Sequence, residues 1–110
     1  MSNKEYIRQT TGQFYARRMQ ITYPNEQLPA GRPLRTSAAH ADMSAAGARW
    51  ASLWGLEVPL YFAPADFEEP GTMRRSAAFT IVAQECKAIE EGAGLLDISG
   101  YARYLSLIHI

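Results

Sequence analysis

Residues 30–62 read AGRPLRTSAAHADMSAAGARWASLWGLEVPLYF and contain both tryptophans of the 110-residue chain. Within this stretch, Ser37 is placed to act as the N-cap of a short helix over residues 38–46. Gly47 follows at the C′ position, where a residue with positive φ commonly ends a helix. The stretch therefore predicts a short capped helix that leads into extended structure.

Two extended runs follow this helix. The first predicts a strand, with one face formed by Trp50, Ser52 and Trp54. Gly55 supplies a bend after it. The two indoles could form a ligand wall, but two aromatic residues on one strand face are more typical of a core. Residues 58–62 form the second run, and Pro59 within it predicts an edge strand or no strand at all.

Arg32 and Arg35 lie in the turn that precedes the helix. Pro33 restricts Arg32 to an extended backbone, so the turn should be ordered. Two such arginines could bind a carboxylate or phosphate through paired hydrogen bonds. We favour the simpler interpretation, in which both guanidinium groups hold the turn to neighbouring carboxylates and carbonyl groups.

The N-terminal residues change their hydrophobic period near Arg17. Before it, Ser2 or Asn3 can cap a first helix. After it, residues 19–23 alternate between apolar and polar side chains, which predicts a strand with one buried face. Pro24 cannot donate a ladder hydrogen bond and should end that strand.

A third helix is predicted to begin at Ser76 and to end at Gly92. Its charged residues are expected to face solvent, including Glu85 and the i, i+4 pair Lys87 and Glu91. The apolar positions recur with helical spacing and predict a buried stripe. The stripe comprises Phe79, Val82, Ala83, Cys86, Ile89 and Ala93, with Glu90 as the one interruption.

Residues 95–99 are predicted to turn into a final strand that begins at about Tyr101. Asp97 lies in this turn, and a functional acid there is conceivable. An aspartate that caps its own turn is the interpretation we favour, because Asp side chains commonly accept a hydrogen bond from the backbone two residues on.

Composition narrows the class of protein. Eleven basic residues balance eleven acidic ones, so the clustered positive excess of a nucleic-acid or polybasic membrane-binding protein is absent. No apolar run approaches the length of a membrane span, and the N-terminus lacks the apolar core of a secretory signal. A single cysteine fits a reducing compartment. We therefore expect a cytoplasmic location, or the mitochondrial matrix in a eukaryote, with no nucleic-acid or membrane partner.

The sequence offers no complete catalytic or metal-binding motif, since GxGxxG, Walker, CxxC and HExxH patterns are all lacking. Asp42 lies two residues from His40 and therefore on another helix face, so we expect His40 to have a surface or packing role. Cys86 lies on the apolar stripe and is expected to be a small buried hydrophobe rather than a nucleophile. We predict no catalytic residue and no metal ligand.

Four segments together resemble a known family. They are AGRPLRTS at 30–37, AAGARWASLWGLEVPLYFAP at 45–64, RRSAAF at 74–79 and ECKAIEEGAGLLDISGYARY at 85–104. In this order and spacing they resemble the dimethylglycine/sarcosine dehydrogenase family of FAD-dependent oxidoreductases. In that family a flavin domain is followed by a short central segment. A folate-binding domain then follows, which is similar to the aminomethyltransferase (T-protein) of glycine cleavage.

The resemblance implies that the chain is an internal fragment. Residues 1–44 would be the end of the flavin oxidoreductase region and the central segment. Residues 45–104 would be the N-terminal part of the aminomethyltransferase-like domain. FAD and tetrahydrofolate would be cofactors of the parent protein, with neither held tightly by the fragment. The DISGY turn at 97–101 is similar to a turn that reaches the folate pocket of aminomethyltransferases, which implies that Tyr101 contacts the cofactor.

The end of the chain departs from this family. After residue 104 the family continues a strand into a polar, glycine-rich bend, whereas this chain reads LSLIHI. The tail resembles translated sequencing-adapter read-through, so we expect residues 105–110 to be non-native.

These observations predict an α+β fragment with about three helices, several short strands and an incomplete sheet. The resemblance implies a parent enzyme that oxidatively demethylates an N-methylated glycine derivative and passes the one-carbon unit to tetrahydrofolate. Its partners would be that small-molecule substrate and the missing parts of its own chain. The alternatives are a flavin-free aminomethyltransferase relative and a small non-catalytic interaction protein.

Overall fold

The computed structural model describes residues 1–102 and confirms the α+β class. Three helices and a two-stranded antiparallel sheet make up this part of the chain. In order they are α1 (Asn3–Arg17), α2 (His40–Ala45), β1 (Ala48–Leu53), β2 (Leu56–Phe62) and α3 (Ala78–Glu91). The predicted non-native tail at residues 105–110 lies outside the described residues.

The predicted N-cap of α1 is confirmed, but the helix attaches to the rest of the molecule by its polar face. Ser2 Oγ accepts a hydrogen bond from the backbone N–H of Glu5. The side-chain oxygens of Gln13 and Gln9 accept from the backbone N–H groups of Ala30 and Gly31, at 3.0 and 3.1 Å. The apolar side chains of α1, including Ile7, Phe14 and Tyr15, are mostly exposed.

The strand predicted over residues 19–23 is wrong. These residues pair with no strand in the described part of the chain, and Met19 is 90% exposed. Alternation produces a buried face only where a neighbouring strand and a core receive it, and here neither is present. Glu26 holds the segment instead, because its carboxylate accepts hydrogen bonds from Arg17 and from the backbone N–H of Tyr23.

β1 and β2 form a tight hairpin in which Leu53 pairs with Leu56. The two loop residues, Trp54 and Gly55, both have positive φ, at 53° and 80°. Positive φ at both loop positions is the signature of a type I′ turn, the geometry that best matches strand twist. Trp54 is therefore in the turn and is 87% exposed, so the prediction that it shares a buried strand face with Trp50 is wrong.

The second strand is confirmed as an edge strand that tolerates Pro59. Arg49 pairs with Tyr61 and Trp50 pairs with Pro59. Leu60 is consequently an extra residue, which makes a β-bulge at this point of the hairpin. The bulge separates the part of the hairpin near the turn from the part that packs on α3.

The helix predicted over residues 38–46 is shorter than expected, since α2 spans six residues. Ser37 does not cap it, because its hydroxyl makes no hydrogen bond to the helix and is buried without a partner in the described residues. The predicted role of Gly47 is confirmed. It has a φ of 91°, and its N–H donates to the carbonyl of Ser44.

The face of α3 that packs on the hairpin is not the predicted one. Ala78 is buried and Ile81 and Glu85 are half-buried, at i, i+3 and i+7. Glu85 was expected in solvent, yet its carboxylate accepts from the backbone N–H of Phe62 at 2.7 Å. The predicted stripe is exposed, including Phe79, Val82, Cys86 and Ile89. The surface pair Lys87–Glu91 is confirmed, at 3.7 Å.

The predicted turn at the C-terminal end of the described residues is confirmed. Asp97 Oδ1 accepts a hydrogen bond from the backbone N–H of Ser99 at 2.9 Å. Tyr101 and Ala102 are not in a strand, and the continuation of the predicted final strand lies outside the described residues.

The core is small and lies between β2, the following loop and the start of α3. Tyr61, Ala63 and Ala78 are buried together, and Phe67 and Ile81 pack against them. The Phe67 ring meets Tyr61 edge to face, with centroids 6.2 Å apart. No large side chain in the described residues is fully buried.

Candidate functional site

A buried ion pair joins the turn before α2 to the hairpin. Arg32 donates through Nε to Glu57 Oε1 at 2.9 Å and through Nη2 to the other carboxylate oxygen. Its Nη2 also donates to the carbonyl of Trp50 at 3.0 Å. Glu57 is only 3% exposed. The charge of Glu57 is therefore compensated by a two-pronged arginine contact.

Arg35 holds the tip of the same hairpin. Its Nη2 donates to the carbonyl of Trp54 at 2.6 Å, and its backbone pairs with Gly55 and Glu57 on either side of Leu56. The predicted structural role of Arg32 and Arg35 is confirmed, because both bind acceptors of the protein itself. The contacts of Arg32 engage Nε, Nη1 and Nη2 of its guanidinium group, whereas those of Arg35 use Nη2 alone.

A cleft with a volume of about 440 Å³ lies beside this hairpin. It runs between the 23–27 loop, the strands near the bulge and the 67–76 loop. Trp50, Tyr61 and Phe67 give it an aromatic wall, and Arg49, Glu69 and Arg74 are among its polar groups. Its size falls within the range of small-molecule sites.

Tyr61 and Glu69 form a hydrogen-bonded pair in this cleft. The Tyr61 hydroxyl donates to one carboxylate oxygen of Glu69, and the Ser76 hydroxyl donates to the other. Burial, followed by the hydrogen bond to Glu69, raises the pKa of Tyr61 to about 12. Tyr61 is thus a protonated donor at neutral pH and is poorly suited to act as a general base.

The acidic groups of the cleft are already satisfied by protein donors, whereas its arginines lack carboxylate partners. Arg49 Nη2 donates to the carbonyls of Pro64 and Phe67, at 2.8 and 2.9 Å. Arg49 Nε is buried without a partner among the described residues. Neither Arg49 nor Arg74 forms an ion pair within residues 1–102. Two arginines and two glutamates line the cleft, so the formal charge of its lining is balanced.

The residues singled out from the sequence do not come together in this cleft. Tyr101 is 76% exposed and does not line it. His40 has the expected packing role, since its ring stacks on Trp50 with centroids 4.2 Å apart. Cys86 is exposed on α3, so its predicted burial is wrong. Of the aromatic pair, Trp50 lines the cleft and Trp54 does not.

Several residues of the cleft and of the ion pair were missed from the sequence. A detectable signal existed for Glu57, because a lone carboxylate inside the apolar run at 56–62 must find a partner if the run is buried. No comparable signal exists for Arg49 or Glu69. Both line the cleft only because the β-bulge and the 67–76 loop bring these segments together beside β2.

The described residues form neither a Rossmann-type dinucleotide site nor a three-ligand metal cluster. A dinucleotide site of the Rossmann type needs parallel strands with a glycine-rich turn that opens a helix, whereas the sheet of residues 1–102 is an antiparallel hairpin. The same residues contain no cluster of three or more His, Cys, Asp or Glu that could hold a metal ion. None of their helices has the length and apolar character needed to cross a membrane.

Comparison with known proteins gives one family match. Residues 1–37 match the family described as the FAD dependent oxidoreductase central domain. This segment contains α1, the loop that α1 binds through Gln9 and Gln13, and the Arg32 side of the buried ion pair. No solved structure matches the chain.

Two curated relatives cover most of the chain. The mitochondrial pyruvate dehydrogenase phosphatase regulatory subunit of Mus musculus is 32% identical over 89 residues, which is 76% of this chain and 10% of that protein. The 4-methylaminobutanoate oxidase (formaldehyde-forming) of Paenarthrobacter nicotinovorans is 29% identical over 110 residues, which is 94% of this chain and 13% of that protein. The chain thus spans about a tenth of the length of these relatives. Together, the matches support a relationship with the FAD-dependent oxidoreductases, in which residues 1–37 correspond to the central domain.

Proposed function

We propose that this chain is part of an FAD-dependent oxidoreductase that oxidatively demethylates an N-methylated glycine derivative of the dimethylglycine or sarcosine type. The match of residues 1–37 to the FAD dependent oxidoreductase central domain is the observation that carries the proposal. The relative from Paenarthrobacter nicotinovorans supports the substrate class, because its name describes a methylamino acid oxidised with formation of formaldehyde.

In this proposal the released one-carbon unit passes to tetrahydrofolate. Residues 1–44 belong to the end of the flavin region and the central segment, and residues 45–104 begin an aminomethyltransferase-like domain. The Arg32–Glu57 pair supports a fixed junction between these two parts, because it joins one to the other in a buried contact. Tyr101 is the proposed contact to tetrahydrofolate, and its exposed ring leaves it accessible.

In this proposal the catalytic residues and the dinucleotide-binding fold belong to other parts of the parent protein, since the sheet of residues 1–102 is not of the Rossmann type. The partners of this chain are then the N-methylated amino acid, as substrate of the parent, and the remaining polypeptide of that parent. We place the parent in the cytoplasm, or in the mitochondrial matrix if the organism is eukaryotic.

A non-catalytic interaction protein is the second candidate function. The mouse relative supports it, because its name describes a regulatory subunit rather than an enzyme. A flavin-free aminomethyltransferase relative is the third, and the match of residues 1–37 to a flavin-linked domain argues against it.

The first experiment is a long-read sequence of the locus on both sides of this reading frame. We expect an upstream frame in phase that encodes a strand, a glycine-rich turn and a helix, and a downstream frame that encodes a folate-binding domain. Genuine stop codons on both sides, with the LSLIHI codons confirmed, would exclude the enzyme and favour the interaction protein.

The second experiment assays the parent protein encoded by that locus. Dimethylglycine or sarcosine should bleach the flavin absorbance under anaerobic conditions, whereas glycine, which lacks the N-methyl group, should not. The product then separates two versions of the proposal. Methylenetetrahydrofolate formed faster than free formaldehyde and tetrahydrofolate condense without enzyme supports transfer to folate, and release of free formaldehyde in the presence of tetrahydrofolate contradicts it.

A further inference from the structure

The exposed side of α3 is the strongest unexplained feature of the molecule. We define the α3 apolar face as Phe79, Val82, Cys86 and Ile89, which recur at i, i+3, i+7 and i+10. Phe79 and Ile89 are 53% and 60% exposed, and Cys86 is exposed. Beyond the helix the exposed apolar surface continues with Leu95 and Leu96.

This face is distinct from the one that α3 uses within the described residues. Ala78, Ile81 and Glu85 pack toward the hairpin, about a quarter turn away around the helix axis. The polar side of α3 carries Gln84 and the Lys87–Glu91 pair. The hairpin therefore covers only one edge of an apolar arc that is wide enough for a second contact.

The area exposed by the whole chain is also too large for a self-contained domain. The accessible surface is 9349 Å² for a mass of 12.2 kDa. A compact monomer of this mass exposes about 6,100 Å². The excess, on the order of 3,000 Å², exceeds the roughly 800 Å² that each partner buries in a standard interface.

We infer that the α3 apolar face is an internal packing surface, covered in the parent protein by further polypeptide of the same chain. This inference rests on the proposed function, since it requires the longer parent. The length of the relatives supports this occupant over a second copy, because this chain corresponds to only 10% and 13% of them. The cover should itself be apolar, because the side chains of the face are uncharged. A flanking contact comes from Arg75, whose guanidinium lies 4.3 Å from the Phe79 ring centroid.

The single cysteine of the chain supplies a direct test, because Cys86 lies in the middle of the face. The rate of its reaction with a thiol reagent is measured in the 110-residue chain and in the full-length parent, with peptide mass spectrometry to identify the labelled site. We expect labelling of Cys86 to be at least about 100-fold slower in the parent, as for a thiol that becomes accessible only by local unfolding. Gln84→Cys on the polar side of α3 is the matched control, and its labelling rate should differ less than about threefold between the two proteins.

A substitution provides a second readout. Ile89→Glu should leave the unfolding of the 110-residue chain almost unchanged, because Ile89 is already exposed there. In the parent it should cause insolubility or a large loss of thermal stability, whereas Gln84→Glu should not.

The outcomes separate this inference from the proposed function. If the parent reduces its flavin with dimethylglycine or sarcosine but Cys86 reacts as fast as in the isolated chain, the inference is wrong and the function stands. If Cys86 of the full-length parent is protected only at concentrations at which the parent dimerises, a second copy is the occupant and the inference is wrong. If no longer reading frame exists, both proposals fail.

Discussion

Arg32 and Glu57 form the most deeply buried ion pair of the residues that the structure describes. Their side chains are 17% and 4% exposed. Removing one partner of a buried pair leaves the other charge uncompensated, which costs about 3–5 kcal/mol. We therefore expect Glu57→Gln to lower the free energy of unfolding by an amount of this order, measured by urea denaturation followed by circular dichroism.

The exposed pair Arg8–Glu5 serves as the control, because these side chains are 75% and 38% exposed. Glu5→Gln should leave the free energy of unfolding almost unchanged, because solvent-exposed ion pairs contribute little to stability. If Glu5→Gln and Glu57→Gln change the free energy of unfolding by similar amounts, the Arg32–Glu57 contact contributes little to stability.

Gly47 supports the close approach between the end of α2 and the residue after β2. Its φ is 91°, and a Cβ at this position would lie 2.4 Å from the carbonyl oxygen of Ala63. Gly47→Ala should therefore destabilise the chain by about 1–3 kcal/mol. Gly12→Ala is the matched change, because Gly12 lies in α1 with open space around it. It should stabilise the chain by about 0.5–1 kcal/mol. A thermal melt of both variants tests the opposite signs.

Tyr61 should make stability depend on alkaline pH. Its pKa is raised from 10.0 to about 12, first by burial and then by the hydrogen bond to Glu69. Because the folded pKa lies above the unfolded one, the stabilisation is complete below about pH 10 and is lost as pH rises toward 12. Phenolate absorbance should show a late step near pH 12, and Tyr61→Phe should remove it. A late step that persists in Tyr61→Phe would assign it to another tyrosine.

At the scale of elements, the sequence predicts the helix α3 correctly but assigns the wrong face of that helix to the core. Ile81 packs against the core, whereas Ile89 is 60% exposed. We expect Ile81→Ala to cost about 1–2 kcal/mol, below the range for a fully buried isoleucine, and Ile89→Ala to cost less than about 0.5 kcal/mol. Urea denaturation of the two variants checks this difference. A larger cost for Ile89→Ala than for Ile81→Ala would support the helix orientation predicted from the sequence.

The elements that the sequence predicted correctly are those with local signals. Ser2 caps α1 through its own side chain, and Asp97 closes its turn through an oxygen that bonds two residues on. Most of the elements that it predicted wrongly depend on distant partners, although the local signal at Ser37 also failed, since Ser37 does not cap α2. Residues 19–23 alternate like a strand, but no neighbouring strand is present in the described residues. Trp54 continues the alternation of β1 in the sequence, but it lies in the hairpin turn and has a positive φ.

The same distinction applies to the candidate site. The structural role of Arg32 and Arg35 followed from a proline-ordered turn only a few residues long. The cleft could not be predicted, because its walls come from segments that lie up to about fifty residues apart. The α3 apolar face was visible as a stripe with helical spacing. Periodicity identifies an apolar face, but it does not identify the element that covers it.

At the scale of the whole molecule, the shape indicates marginal stability. The radius of gyration is 17.2 Å, whereas a compact domain of this length has one of about 13 Å. The core of the described residues contains no fully buried large side chain. Few apolar contacts therefore offset the conformational entropy lost on folding.

We accordingly expect the isolated 110-residue chain to be marginally stable and prone to associate. Thermal unfolding should be broad, and light scattering coupled to gel filtration should show a mass that increases with concentration. In the described residues no third strand joins the sheet, and only Arg35 bridges to β2, at Leu56. The strand edges left open can add to association through the α3 apolar face. Substitutions at two isoleucines separate association of the folded chain from unfolding. Ile89→Glu should reduce association through the α3 apolar face without unfolding the chain. Ile81→Glu should unfold it, since Ile81 packs against the core. A sharp cooperative transition in a monomer with the radius of a compact protein would contradict the expectation, because it would require a core that residues 1–102 do not provide.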